Sequence, residues 1–326
     1  MRRGEFLSVM VAALVGWPLS VRALQPGRSV TIGLLGSGTA ASQSNWTAAF
    51  LQGMQELGWV EGRDLVVEYR WAEGDTDRLA SLAQDLVRLK VDLILTHNTP
   101  PTLAAKAATA TIPVVFATTG DAVGSGLVSS LARPGGNVTG LSSMQPDTAG
   151  KRVQLLHEVV PGLRRLGALT DVGNPYSARD ILEVQEAAQH LDVEVQAHEV
   201  RSGADIIAAL RSMPDRVQAL YVTAVPVLLA HGARINALAQ VARLPTMHGV
   251  REMVESGGLM SYGPDWTDMW RRSADVVDKI LRGTRPGDIP VQQPTAFDFV
   301  VNLKTAKALG LAVPASVLQQ ATAVIQ

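Results

Sequence analysis

From Ser29 onward the chain alternates short apolar runs, rich in β-branched residues, with stretches of helical periodicity. No other feature constrains its fold as much. "SVTIGLLG" (29–36), "DLVVEYRWA" (64–72), "VDLILTH" (91–97), "IPVVFATTG" (112–120) and the extended run "NVTGLSS" (137–143) read as strands. Helical spacing covers 45–57, 76–90, 101–109 and a short piece at 124–132. The pattern then restarts. Helices at 148–160, 177–190, 204–213 and 227–243 alternate with strands "RLGALTD" (165–171), "DVEVQAHEV" (192–200), "VQALYVT" (217–223) and "LPTMHG" (244–249). A helical turn at 250–256, a strand "GLMSYG" (258–263) and a helix at 265–281 follow. A proline-rich connector (282–295), a strand "AFDFVVN" (296–302) and a helix at 303–309 ending at Gly310 close the reading.

Strands that alternate with helices need a parallel sheet covered on both faces. Two such runs predict an α/β protein of two doubly wound parallel-sheet lobes. The first glycine loop, GSGTAA, fits half of a dinucleotide-binding fingerprint. The other half is an acidic residue about 20 positions on, at the end of the second strand. Glu56 stands at that spacing but falls inside the first helix, and the second strand ends near Arg70-Trp71. No nicotinamide cofactor is expected. The loop is then either a turn that needs glycine for its backbone alone, or a binding element offering N–H groups and hydroxyls at a helix N-terminus.

The N-terminus reads separately. Arg2 and Arg3 precede an apolar run from Phe6 to Leu19 and the small-residue site Val21-Arg22-Ala23. This is the layout of a secretory signal peptide, too short to span a bilayer. It predicts a mature chain from Leu24 and a periplasmic location. Arg2-Arg3 also hints at twin-arginine export, with a spacing one residue longer than usual. The chain has no cysteine, which excludes disulfides, thiolate ligands and a lipidated anchor. A formal net charge of −1 gives no reason to expect nucleic acid as a partner.

In open α/β sheets, ligands bind beyond the carboxyl ends of the strands. Those ends carry Ser37, Gly38 and Thr39; His97, Asn98 and Thr99; Thr118, Thr119 and Asp121 in the first half. In the second they carry Asp171 and Asn174, Thr223, and His248. Hydroxyls, amides and a few acids suit a small polar ligand. His157, His190, His198 and His231 fall in helix or strand patterns and read as surface or packing residues. No nucleophile elbow, metal-ligand spacing or phosphate loop occurs, so catalytic residues, metal and cofactor are all expected to be absent. For an amino acid, the carboxylate would meet Ser37, Thr39 and the N–H groups at Thr118-Thr119. The ammonium group would meet Asp171, preferred over Asp121.

"LLGSG", "GMQELGWVEGRDLVVEYRWAEGDTDRLASLAQDLV", "AAKAATATIPVVFATTGDAVGSGLVSSLARPGGNVTG", "GGLMSYGP" and "VQQPTAFDFVVNLKTAKALGLAVP" resemble the ABC-transporter substrate-binding protein family, with its type I periplasmic-binding fold. The resemblance covers nearly the whole chain after residue 23. It implies a three-strand hinge, with crossings near 138–143, 260–264 and 294–297. The N-terminal lobe is then 24–141 with 264–294, and the C-terminal lobe 142–263 with 295–326. It also implies a monomeric, non-enzymatic receptor that delivers a small molecule, amino-acid-like or aromatic-acid-like, to an ABC permease in the inner membrane. A periplasmic sensor feeding a membrane receptor and an exported α/β hydrolase are the alternatives.

Overall fold

The computed structural model describes residues 29–213 and 216–326; the signal-peptide expectation on residues 1–23 lies outside them. The first half runs β1 (Val30–Gly36), α1 (Ser44–Glu56), β2 (Leu65–Trp71), α2 (Leu79–Leu89), β3 (Leu93–Thr96), α3 (Thr99–Ala108), β4 (Val114–Thr119) and β5 (Val138–Ser142). The second runs α4 (Ala149–Val159), β6 (Arg165–Thr170), α5 (Ser177–Gln189), β7 (Glu194–Glu199), α6 (Gly203–Ser212), β8 (Ala219–Val222), α7 (Pro226–Ala230), α8 (Gly232–Val241), β9 (Thr246–His248), α9 (Arg251–Glu255) and β10 (Met260–Pro264). The tail adds α10 (Trp266–Leu281), β11 (Phe297–Asn302), α11 (Leu303–Leu309), α12 (Ala315–Gln320) and β12 (Ala323–Ile325).

Two sheets result. The first is all parallel, in the order β2-β1-β3-β4-β5. The second has the order β12-β11-β10-β9-β8-β6-β7, parallel except where β11 runs against β10. β3, β4 and β8 are buried along their whole length, as strands sandwiched between two helical layers must be. Polar caps start several helices: the side chains of Ser202, Asp265 and Asn302 accept backbone N–H groups of α6, α10 and α11.

The chain passes between the sheets after β5, after β10, and again before β11. The last passage runs beside β5, where Ser142 donates to the Gln292 carbonyl and Gln292 to that of Gly140. α10 packs along α1 and against β4 and β5. Its Trp266 and Trp270 are buried with Trp46, Phe50 and Met54 of α1.

Three local expectations change. The segment 124–132 forms turns, not a helix. Asp121 accepts the Gly124 N–H, Gly126 takes φ +68°, and the hydroxyls of Ser129 and Ser130 donate to carbonyls at 133 and 134. Side-chain bonds to the backbone replace the helical ladder there. The helix expected over 227–243 is two, because His231 leaves helical geometry at φ −108° and ψ 15°. Beyond Gly310, where no element was expected, α12 and β12 add an edge to the second sheet.

Candidate ligand-binding site

The order 2-1-3-4-5 has a physical consequence. The connections leaving β1 and β3 go to opposite faces, so a crevice opens between the loops that follow them. The second sheet repeats this order as β7-β6-β8-β9-β10, with its crevice beyond β6 and β8. The two crevices face each other, as contacts across the cleft show. Trp46 Nε1 of α1 donates to Glu252 Oε1 of α9 at 2.6 Å. Arg179 of α5 bonds Asp121 at 2.8 Å. A Cβ placed on Gly120 would lie 2.4 Å from the Tyr176 ring, so the ring sits directly on that glycine.

Between the loops lies a cavity of about 340 Å³, within the size range of small-molecule sites. From the first sheet it is lined by Ser37, Gly38, Ser42, Gln43, Trp46, His97 and Asn98; from the second by residues of the 226–233 segment and by Glu252, Met253 and Ser256. Gly36 and Gly38 are explained by packing: a Cβ on Gly36 would lie 2.2 Å from the Trp71 ring, and one on Gly38 2.6 Å from the Ser42 hydroxyl. A larger hollow of about 410 Å³ lies along residues 126–138. Its Lys106 ammonium is spent on the carbonyls of Gly126 and Leu127, and it does not sit at the switch points.

Trp46 gives the cavity an aromatic wall, with its ring 5.8 Å from that of His97 and 5.2 Å from that of Trp266. Glu252 supplies the carboxylate. Burial pushes its pKa up, opposed by the Trp46 indole N–H. The Asn98 amide donates to His97 Nδ1 at 3.2 Å, so the proton of the neutral ring sits on Nε2, which has no partner. Gln43 Oε1 is equally unpartnered. Buried groups without partners continue to the adjoining strand ends: Thr118 Oγ1, Asn174 Nδ2, Tyr176 Oη and Thr223 Oγ1. Buried polar atoms are ordinarily satisfied, and these have no partner among the described residues.

Burial also pulls the pKa of His97 and of His248 down to about 3. In the unfolded chain each imidazole takes up its proton near pH 6.5. Both therefore add stability above pH 6.5 that is lost as pH falls toward 3. Asp180, raised by burial to about 6, works in the opposite sense, favouring the folded state below that pH. Burial raises Glu252 and Asp171 in the same sense as Asp180, so the imidazole contribution is read as a difference. Between pH 6.5 and pH 4.5 the urea midpoint of the wild type should change less favourably than that of His248→Gln; an unchanged slope in that variant would refute the neutral buried ring.

Not every expected residue reaches the cavity. Ser37, Gly38 and Asn98 line it. Thr118, Asn174 and Thr223 are buried nearby with free polar atoms. Thr99 and Thr119 bond each other at 3.0 Å. Thr39 is exposed and exchanges hydrogen bonds with Ser42, fixing the turn before α1. Asp121 is committed to Arg179 and Gly124. Asp171, the preferred partner of an ammonium group, accepts the Gly173 N–H at 2.8 Å in its own turn. His248 packs against Gly258 beneath α9. The carboxylate on the cavity wall is Glu252, which the strand-end search passed over together with Gln43, Trp46 and Tyr176.

Comparison with known proteins decides the family. The description "ABC transporter substrate binding protein" matches residues 40–325. The chain belongs to that family. Its members are substrate-binding proteins, not enzymes. A tyrosine-binding protein of Clostridioides difficile (strain R20291) is 26% identical over 262 residues, covering 80% of this chain and 75% of that one. Among solved structures, an ABC domain from Streptococcus pneumonia in complex with L-Trp is 28% identical, with a TM-score of 0.86 over 91% of this chain and 100% of that one. A conserved domain protein from Vibrio cholerae is 26% identical with a TM-score of 0.87 over the same shares. The fold is that of the type I periplasmic binding proteins. Among the described residues, no helix is long and apolar enough to cross a membrane, and no cluster of His, Asp and Glu suits a metal ion.

Proposed function

We propose that this chain is the exported, periplasmic receptor of an ABC importer, and that it binds an amino acid with an aromatic or large apolar side chain. The observation that carries this reading is the cavity between the two sheets with one aromatic wall, one carboxylate and several unpartnered buried donors and acceptors. A zwitterion with an apolar tail answers each part: the tail meets Trp46, the ammonium group Glu252, and the carboxylate the hydroxyl and amide groups at the strand ends. The tyrosine-binding and L-Trp-bound relatives support the same class.

On this reading the lobes are 24–141 with 264–294 and 142–263 with 295–326, hinged at the three crossings. The receptor works as a monomer, without nucleic acid, and hands its ligand to a permease in the inner membrane. Only a ligand that touches both lobes binds the closed form better than the open one, and Trp46 and Glu252 stand on opposite sides of the cleft.

A thermal-shift series of L-tryptophan, L-tyrosine, L-phenylalanine, branched amino acids and aromatic acids without an amino group tests the proposal. At a hundred times its Kd a true ligand adds about 2.7 kcal/mol, roughly 4 °C in Tm for a chain of this size. No shift with any amino acid at millimolar concentration, beside a clear shift with a sugar, would overturn the amino acid assignment.

A further inference from the structure

The amino-terminal end of α5 closes over the carboxyl end of β4. Tyr176 covers Gly120, and Arg179, one helical turn on, reaches Asp121. The guanidinium is held before it gets there. Its Nη2 bonds Asp147 at 2.8 Å, and its Nε lies 3.8 Å from Glu183, both in the half of the molecule to which α5 belongs. Nη1 alone crosses the cleft, to Asp121 Oδ2 at 2.8 Å. The other Asp121 oxygen is spent on Gly124. The arginine is thus pre-set by two carboxylates, and its third partner arrives only when the lobes meet.

The next residue fixes the helix that carries it. Asp180 is buried at the other side of α5, against Arg152 and the Tyr221 hydroxyl. Arg179 itself stays at the rim, 46% exposed. Both its Nη groups are occupied by carboxylates, and it is absent from the cavity wall.

We propose that the Arg179–Asp121 pair is a clasp that sets how long the ligand is retained, without touching it. The pair forms in the closed arrangement and is separated in an open one, so it adds to closed-state stability alone. It therefore acts on dissociation, which begins from the closed form, and leaves the encounter with the open form unchanged. An ion pair at the rim contributes modestly and is screened by salt.

The clasp rests on the cleft geometry, and only one arm of its test rests on the amino acid reading. The probe for that arm is L-tryptophan, followed by stopped-flow fluorescence. Arg179→Gln and Asp121→Asn should each raise its dissociation rate about 3–10-fold and leave association within about twofold. The double variant should be no worse than the worse single one. The second arm needs no ligand. The chain has no cysteine, so Leu89→Cys and Val241→Cys, both exposed and on different lobes, accept a unique label pair. Distance distributions of the unliganded protein should show a short population that shrinks in Arg179→Gln, and that shrinks with added salt in the wild type only. Identical distributions in both proteins, or two single effects that simply add, would overturn the clasp. Failure of L-tryptophan and of every other amino acid in the thermal-shift series to bind, with the distances behaving as described, would instead overturn the ligand assignment and leave the clasp standing.

Discussion

Glu252→Gln is expected to weaken binding of L-tryptophan or L-tyrosine by about 2–5 kcal/mol, the usual cost of removing one partner of a buried charge pair. Glu252 is the carboxylate on the cavity wall, and Trp46 takes only one of its oxygens. Burial pushes its pKa up. An ammonium group beside it would bring that pKa down, which is the same free energy seen from the other partner. Gln keeps the size and an acceptor for the Trp46 N–H, so the change isolates the charge. Asp171→Asn should bind within a few tenths of a kcal/mol of wild type, since Asp171 serves its own turn. Calorimetry on both variants decides between them. Wild-type affinity in Glu252→Gln with a large loss in Asp171→Asn would restore the assignment first made from sequence. An aromatic acid lacking the amino group should not lose affinity in Glu252→Gln.

The legible part of this protein was its periodicity. Strand runs such as "VDLILTH" and "IPVVFATTG" carry their own signal, and the switch-point loops follow from their order. That is why Ser37, Gly38 and Asn98, which line the cavity, are legible from strand order alone. Gln43 and Trp46 were not, because they stand at the start of a helix whose apolar spacing reads as packing. They are three residues apart and so share a face, and an aromatic residue one turn after a glycine loop was the available clue. Glu252 lies four residues past β9, inside a turn too short to show a polar face. Asp121 and Asp171 each accept a backbone N–H of their own turn: a strand-end acid serves a local turn as readily as a ligand, and sequence does not say which. Arg179 could not be assigned at all, since its partner Asp121 is 58 positions away and meets it only across the cleft.

The largest effect on folding is expected at Arg152. This side chain is fully buried in α4, with the Asp180 carboxylate 3.5 Å away. It also donates to Gln145 Oε1, the Gln145 carbonyl and the Thr148 hydroxyl, and its guanidinium carbon lies 5.2 Å from the Tyr221 ring centre. Gln145 in turn joins the first crossing to both halves, through the Gly120 carbonyl and, at 3.4 Å, that of Gly249. Arg152→Met leaves Asp180 buried without its countercharge and unties Gln145. A loss of about 3–5 kcal/mol is expected, on the order of 10 °C in Tm. Asp180 should answer by protonating. Burial already holds its pKa near 6 against the pull of Arg152, and without the arginine that opposition is gone. A raised carboxyl pKa favours the folded state at low pH and loses that advantage as pH rises through it. Arg152→Met should therefore be least damaging near pH 5 and worse at pH 8. Adding Asp180→Leu should recover much of the loss and remove its pH dependence, because two apolar groups cost less than one unpaired charge. Denaturant midpoints for the wild type and the two variants at both pH values test each step. A flat pH response in Arg152→Met would show that Asp180 stays charged and finds solvent.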